Sequence, residues 1–174
     1  MSNDQILQNK TIIVTGASTG IGQAFSVACA SYGSKIIVAD MNSGEETVEI
    51  IKSKGGEAKF VEVDVANEKS TNLMAKAAYD WTGRVDGLIN NAAYFREVKL
   101  TPFEEIDVAV WDKIFDVNVK GIWQCSKAVI PYMRNNKGGS IINISSVVAV
   151  AGQPGYLHYV ATKGAVLAMT KGLA

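Results

Sequence analysis

The sequence predicts an α/β fold built on a doubly wound parallel sheet. Short, β-branched apolar runs alternate with longer stretches of helical periodicity along the chain, which is the pattern of repeated βαβ units. Strands one, two and five are apolar on both faces, as strands covered by helices on both sides must be. No linker, low-complexity tract or short-period repeat interrupts the 174 residues, a length suited to one domain with a sizeable core.

TIIVTG (11–16) is a buried strand that closes on glycine. Residues 20–32 then turn helical, with Ile21, Phe25, Ala28 and Cys29 on one face. KIIVAD (35–40) is the second strand, and residues 44–54 form a more polar helix. AKFVEVDV (58–65) and residues 67–80 give the third strand and helix. VDGLINNAA (85–93) is the fourth strand, followed by an irregular stretch through Pro102. A long helix runs from about Val108 to Met133, with Pro131 near its end. GGSIINISS (138–146) is the fifth strand, and a last helix begins near Gly155. A six-stranded dinucleotide fold needs at least one more strand. The sheet is therefore expected to be incomplete after the fifth strand and the start of the following helix. Residues 1–174 would form a single dinucleotide-binding domain lacking its C-terminal part.

Lys+Arg and Asp+Glu both number 17, so no net field steers the chain toward nucleic acid or anionic lipid. Apolar residues at 48% and charged residues at 20% are the balance of a soluble globular protein. The N-terminal MSNDQILQNK lacks the charged start and apolar run of a signal peptide. No apolar stretch approaches bilayer-spanning length, so a cytoplasmic location without membrane partners is expected. Cys29 and Cys125 are too few and too far apart for a disulfide framework or a metal site. They read as small buried thiols, and no metal is expected.

Strand one runs into TGASTGIG, with glycines at 16, 20 and 22. Gly16 lets the chain turn off the strand with backbone angles that a Cβ resists. Gly20 lets a pyrophosphate approach the backbone, and Gly22 lets helix and strand pack closely. Free N–H groups and the helix dipole favour the phosphate charge. A plain strand-to-helix turn would also use glycine, and such a motif alone is weak. Its place after the first strand and at the opening of the first helix favours a cofactor. Gly16, Ser18, Thr19, Gly20, Ile21 and Gly22 are the candidate binding residues. Asp40 closes strand two, 18 residues after Gly22, where a carboxylate accepts hydrogen bonds from the adenosine ribose. It would repel a 2′-phosphate, and the turn carries Ala17, Ser18 and Thr19 instead of Arg or Lys, so NAD is favoured over NADP. Asp64 and Val65 end the third strand within reach of the adenine, although Asp64 equally suits a helix N-cap.

GYLHYVATKG (155–164) sets Tyr159 and Lys163 four apart, on one face of a helix. Alone, such a pair suits an ordinary helix surface as well as a catalytic site. His158 points roughly 100° away from Tyr159 and is expected to be partly exposed or at an interface. In this order and context the motifs resemble the short-chain dehydrogenase/reductase family, a Rossmann-fold family. The resemblance runs from NKTIIVTGASTGIG to YVATKGAV. NNAA (90–93) stands where the family usually has Asn-Asn-Ala-Gly, so Ala93 departs from it. The resemblance implies that this stretch stabilises the central sheet and lines the cofactor, through Asn91 and Ala92. DVNVKG (116–121) resembles the segment that supplies Asn118 to the catalytic set. The family's serine lies thirteen residues before its tyrosine, which selects Ser146. Neighbours at a strand end point in opposite directions, so Ser145 is expected to be structural.

The resemblance implies an NAD(P)-dependent oxidoreductase acting on CH–OH groups, with Asn118, Ser146, Tyr159 and Lys163 as catalytic residues. Hydride transfer to or from nicotinamide is coupled to proton transfer, with Tyr159 as general base or acid. A free tyrosine titrates near 10, so Lys163 is expected to lower it. The family's lysine also holds the nicotinamide ribose, its serine the carbonyl oxygen, and its asparagine a water leading to solvent. Tyr159 and Lys163 therefore count among the cofactor contacts too. A homodimer or homotetramer is implied for the full-length form, and Trp111, Ile114, Phe115 and Ile122 read as core or dimer face. The resemblance implies a small-molecule alcohol or ketone as substrate; Gln153, Tyr156 and AYFREV (93–98) border the expected pocket without identifying it. A second reading is a shortened relative that binds nucleotide or a partner without turning over. A methyltransferase or other Rossmann-like binder would explain the glycine turn but not Ser146, Tyr159 and Lys163.

Overall fold

Successive side chains of a strand point to opposite faces, and most of this sheet is covered on both. The computed structural model describes residues 5–174; residues 1–4, part of the segment expected to hold no signal peptide, lie outside the described residues. Strands β1 (Thr11–Thr15), β2 (Lys35–Asp40), β3 (Glu57–Glu62), β4 (Gly87–Asn90) and β5 (Ser140–Asn143) form one parallel sheet in the order β3-β2-β1-β4-β5. Thr11 of β1 stands opposite Lys35 of β2, and Gly87 of β4 opposite Ser140 of β5.

Ile12, Val14, Ile36, Val38 and Ile89 project to one side, against α1 (Gly20–Ser31) and α2 (Glu45–Ser53) through Ala30, Val48 and Ile51. Ile13, Ile37 and Leu88 project to the other, against α3 (Glu68–Thr82) and α5 (Gly121–Asn135) through Met74, Ala78, Cys125 and Val129. Strand order reverses between β1 and β4, and such a switch point opens a ligand crevice at the carboxyl ends of the strands. β5 forms one edge of the sheet, and its Ile142 is 52% exposed.

Several elements differ from the sequence expectation. In α1 the buried stripe is Gly22, Ser26 and Ala30, whereas Ile21 and Ala28 are exposed. At Gly22 a Cβ would stand 2.1 Å from the Gly16 carbonyl oxygen, so the start of the helix leaves no room for a larger residue there. β3 stops at Glu62, so Asp64 and Val65 sit in the following turn instead of in the strand. Asn67 is the N-cap of α3, its Oδ1 accepting from the Ser70 N–H at 3.0 Å. Asp64 instead accepts from the Ala66 N–H at 2.9 Å and shapes the turn before that helix. The long helix is α4 (Val108–Phe115) and α5 joined through a π-helical segment, Asp116–Lys120, with Pro131 inside α5. A short α6 (Val148–Ala151) precedes α7 (Leu157–Leu173).

Ile114 and Ile122 are core residues, while Trp111 and Phe115 stack at 5.0 Å in partial exposure. Cys125 is fully buried, and burial pushes its thiol up to about 12. Cys29 is only partly buried. No helix among the described residues is long and apolar enough to cross a membrane.

Candidate active site

β1 delivers the chain to Gly16, whose φ of +64° is left-handed and whose Cβ, if present, would stand 2.8 Å from the Ala92 Cα. The turn is stapled to the end of β4. Thr15 Oγ1 accepts from the N–H groups of Asn91 and Ala92, both at 3.1 Å. Asn91 Nδ2 donates to the carbonyls of Thr15 and Gly16, both at 3.0 Å. Ala93 fits because its φ is not left-handed; among described non-glycine residues only Asn9 and Lys137 are. Gly22 packs against the turn, with its would-be Cβ 2.1 Å from the Gly16 carbonyl oxygen.

Gly20 differs: its φ is +59° and nothing lies within 4 Å of where a Cβ would point. The first turn of α1 carries no acidic residue, and the Thr19 side chain makes no capping bond. An open space before uncapped, positively polarised N–H groups fits a phosphate. Asp40 closes the side of this turn. Its Oδ2 accepts from the Ser18 N–H (2.9 Å) and hydroxyl (2.7 Å), and its Oδ1 from the Asn42 N–H (3.0 Å). A carboxylate offers about four lone-pair positions, which leaves capacity for a ribose hydroxyl.

Gly16, Ser18, Thr19, Asp40, Asp64, Val65, Asn91 and Ala92 line one cleft of about 450 Å³. Arg96, Lys113 and Val117 also line it. Arg96 belongs to the AYFREV stretch expected to border the pocket, whereas Lys113 in α4 and Val117 in the π segment carried no motif signal beyond the nearness of Val117 to Asn118. Gly20, Ile21, Ser146, Tyr159 and Lys163 lie outside this cleft. Another cleft, of about 560 Å³, opens at the amino ends of β1, β4 and β5 between Leu7, Ile12, Cys29 and Ser140. It holds none of the predicted site residues, and it lies at the opposite end from where open α/β sheets bind ligands. Among the described residues no cluster of three or more His, Cys, Asp or Glu side chains could hold a metal.

The chain beyond β5 and the α7 helix bring the remaining residues together. Ser145 Oγ donates to the Lys163 carbonyl at 2.8 Å, a structural bond. Ser146 Oγ accepts from the Val148 N–H at 3.4 Å, and its hydroxyl lies near enough to Tyr159 to favour the phenolate. Burial outweighs this and holds the Tyr159 phenol above its ordinary pKa. Lys163 is 4% exposed; its Nζ donates to the Ile144 carbonyl at 2.7 Å and stands 5.7 Å from the Tyr159 ring centroid. Burial lowers the ammonium to about 8. The expectation that Lys163 lowers Tyr159 is therefore not met in the free protein. The ammonium is aimed at a carbonyl, and desolvation of the phenol is the larger effect.

Asn118 sits in the π segment and is 1% exposed; such segments recur at functional sites. Its Oδ1 accepts from the Tyr94 N–H at 2.7 Å, and its Nδ2 donates to the Tyr94 carbonyl and Thr162 Oγ1, both at 3.3 Å. The residue thus joins the segment after β4 to the helix that carries Tyr159. His158 is buried at 1% exposure instead of partly exposed, because α7 presents it inward beside Thr162 and Lys163. Burial lowers its pKa, and its Nδ1 has no hydrogen-bond partner among the described residues.

The family described as short chain dehydrogenase matches residues 10–174. An uncharacterized oxidoreductase of Bacillus subtilis, YxbG, is 40% identical over 170 residues, which are 97% of this chain and 61% of that protein. A 3-oxoacyl-[acyl-carrier-protein] reductase of Staphylococcus epidermidis is 37% identical over 169 residues, 95% of this chain and 68% of that protein. The structure of an NAD⁺-bound xylitol dehydrogenase superposes with a TM-score of 0.93 at 30% identity, covering 98% of this chain and 65% of that one. The chain spans about 61–68% of the length of these relatives. With the parallel sheet, the glycine turn at its switch point and a family match over nearly every residue, the chain belongs to the short-chain dehydrogenase family.

Proposed function

We propose that these residues carry the cofactor-binding and proton-transferring part of an NAD(H)-dependent oxidoreductase acting on an alcohol or its carbonyl. The observation that carries this reading is the proximity of Ser146 and Lys163 to Tyr159 at the carboxyl end of the sheet. The bound nicotinamide supplies the hydride acceptor or donor. The Gly20 turn and the N-terminus of α1 hold the cofactor's phosphates, and Asp40 holds its ribose and disfavours a 2′-phosphate. Ser146 positions the substrate oxygen. Tyr159 takes the hydroxyl proton in oxidation and returns it in reduction. Lys163 has three N–H donors, of which one bonds Ile144. The others serve a ribose hydroxyl and a water held near Asn118. Relatives named for a 3-oxoacyl reductase and a xylitol dehydrogenase bracket ketone reduction and alcohol oxidation, and these four residues serve either direction. Self-association as a homodimer or homotetramer belongs to the same proposal.

The test is a nicotinamide titration followed by turnover, with Tyr159→Phe as the variant. The variant should keep cofactor affinity and lose about 10²-fold or more in kcat, the scale of one acid–base group. Unchanged turnover in Tyr159→Phe, or no nicotinamide binding by the parent chain, would overturn the reading.

A further inference from the structure

Tyr159 has an aromatic neighbour in the AYFREV stretch. Phe95 lies in the segment between β4 and α4. Its ring centroid is 4.3 Å from that of Tyr159, with planes 38° apart, and 6.0 Å from that of Tyr156. Aromatic pairs attract at these separations. Phe95 is nonetheless 44% exposed, so much of its ring stays open to solvent beside the phenol.

The segment is firmly held. Asn118 grips the Tyr94 backbone through both its N–H and its carbonyl. The Val98 N–H donates to the Phe95 carbonyl at 2.9 Å, and the Val98 side chain is buried. An anchored aromatic face left in water carries an area cost that an apolar group would remove. Val147, next to Ser146 in the chain, adds a second exposed apolar side chain, at 78%. A substrate whose oxygen meets Tyr159 and Ser146 must lay its carbon skeleton close to these groups. A polyhydroxylated skeleton would lose hydration there without gaining partners, whereas an aryl or bulky alkyl group would gain contact.

We propose that Phe95 is a specificity-determining residue, an apolar wall beside Tyr159 that selects secondary alcohols and ketones bearing an aryl or bulky alkyl group over polyhydroxylated ones. This rests on the oxidoreductase reading. The experiment compares 1-phenylethanol with xylitol, using NAD⁺ and the whole chain, in the parent protein, Phe95→Ala, Phe95→Leu and Phe95→Tyr. The parent should favour 1-phenylethanol in kcat/KM. Phe95→Ala should reduce that preference about tenfold, the scale of one lost aromatic contact, mainly through KM. Phe95→Tyr should retain it, and Phe95→Leu should fall between.

A second readout needs no turnover. In protein with NAD⁺ added, the NMR signals of the Phe95 and Tyr159 rings should shift with 1-phenylethanol and stay fixed with xylitol. An unchanged preference in Phe95→Ala, a parent preference for xylitol, or rings that ignore 1-phenylethanol would overturn the proposal. The two levels separate cleanly. If Tyr159→Phe loses turnover while Phe95→Ala keeps the preference, only the wall is wrong. If Tyr159→Phe turns over like the parent, the oxidoreductase reading itself fails.

Discussion

The glycine turn allows two nearly identical perturbations to be told apart. In Gly22→Ala the new methyl would stand 2.1 Å from the Gly16 carbonyl oxygen, 2.6 Å from Asn91 Nδ2 and 2.8 Å from the Gly16 carbonyl carbon. The first of these lies 0.9 Å inside the 3.0 Å that real Cβ atoms essentially never cross. Two of the three obstacles are backbone, so no rotamer change relieves them. Overpacking of this kind costs about 1–3 kcal/mol. Displacing Asn91 also endangers its bonds to the Thr15 and Gly16 carbonyls, at about 1 kcal/mol each. Replacing a helical glycine returns about 1 kcal/mol, so the net loss is about 2–4 kcal/mol. In Gly20→Ala the methyl meets nothing within 4 Å, but φ is +59°, and a left-handed alanine costs about 1 kcal/mol. Urea unfolding and an NADH fluorescence titration on both variants separate the two effects. Gly22→Ala should be the less stable protein. Gly20→Ala should fold nearly as well as the parent yet bind NADH at least about tenfold more weakly, because its methyl enters the space assigned to phosphate. A Gly22→Ala protein within about 0.5 kcal/mol of the parent, or one more stable than Gly20→Ala, would refute the reasoning.

Asp40→Ser should raise the NADP/NAD ratio of kcat/KM at least about tenfold by removing the charge that repels a 2′-phosphate; an unmoved ratio in steady-state kinetics would count against Asp40 as the selector. Ser145→Ala should lower stability by about 1 kcal/mol in chemical denaturation and leave kcat near the parent value, while Ser146→Ala should do the reverse; matching behaviour of the two variants would undo their assignment. Lys163 has a folded-state pKa of about 8, below its ordinary 10.5, so the folded state binds fewer protons than the unfolded state between those values. Its burial therefore destabilises the fold below pH 8, and the penalty fades as pH rises. The stability of the parent relative to Lys163→Met should rise by roughly 2–3 kcal/mol between pH 8 and 10, read from urea midpoints at each pH; a flat or falling difference would contradict a buried, charged Lys163.

The strand–helix alternation was legible because both periods are strong here. The strand cores 12–14 and 36–39 carry no polar residue, and Ile13 and Ile37 do face the opposite side from Ile12, Val14, Ile36 and Val38. Strand ends were less legible. Val63 and Val65 are as apolar as strand residues and are buried, yet the ladder with β2 ends where Asp40 pairs with Glu62. Burial without a pairing partner looks like strand in sequence. The π segment was illegible for a different reason. Its residues, DVNVK, keep a helical look, and only the register of backbone hydrogen bonds distinguishes five residues of π geometry. The error at Ile21 came from taking an apolar side chain as a buried one. At a glycine-mediated approach the small residues mark the contact, so Gly22, Ser26 and Ala30 were the better signal.

The Tyr159–Lys163 pair shows where spacing stops being informative. Four residues on a helix place two side chains on one face, and that much is realised. Spacing says nothing of what each group loses on leaving water. Burial acts on both members in the direction of neutrality, raising the phenol and lowering the ammonium. In the free protein at neutral pH the phenol therefore keeps its proton, while Lys163, with a pKa of about 8, remains mostly charged. Under the proposed function, that inventory suits proton donation to a carbonyl that becomes an alcohol. Oxidation by the same residues would need the phenolate, which desolvation of Tyr159 disfavours in the free protein. Under the proposed function, desolvation of the phenol is the larger obstacle to oxidation, and the 2.7 Å bond from Lys163 Nζ to the Ile144 carbonyl keeps the ammonium from offsetting it.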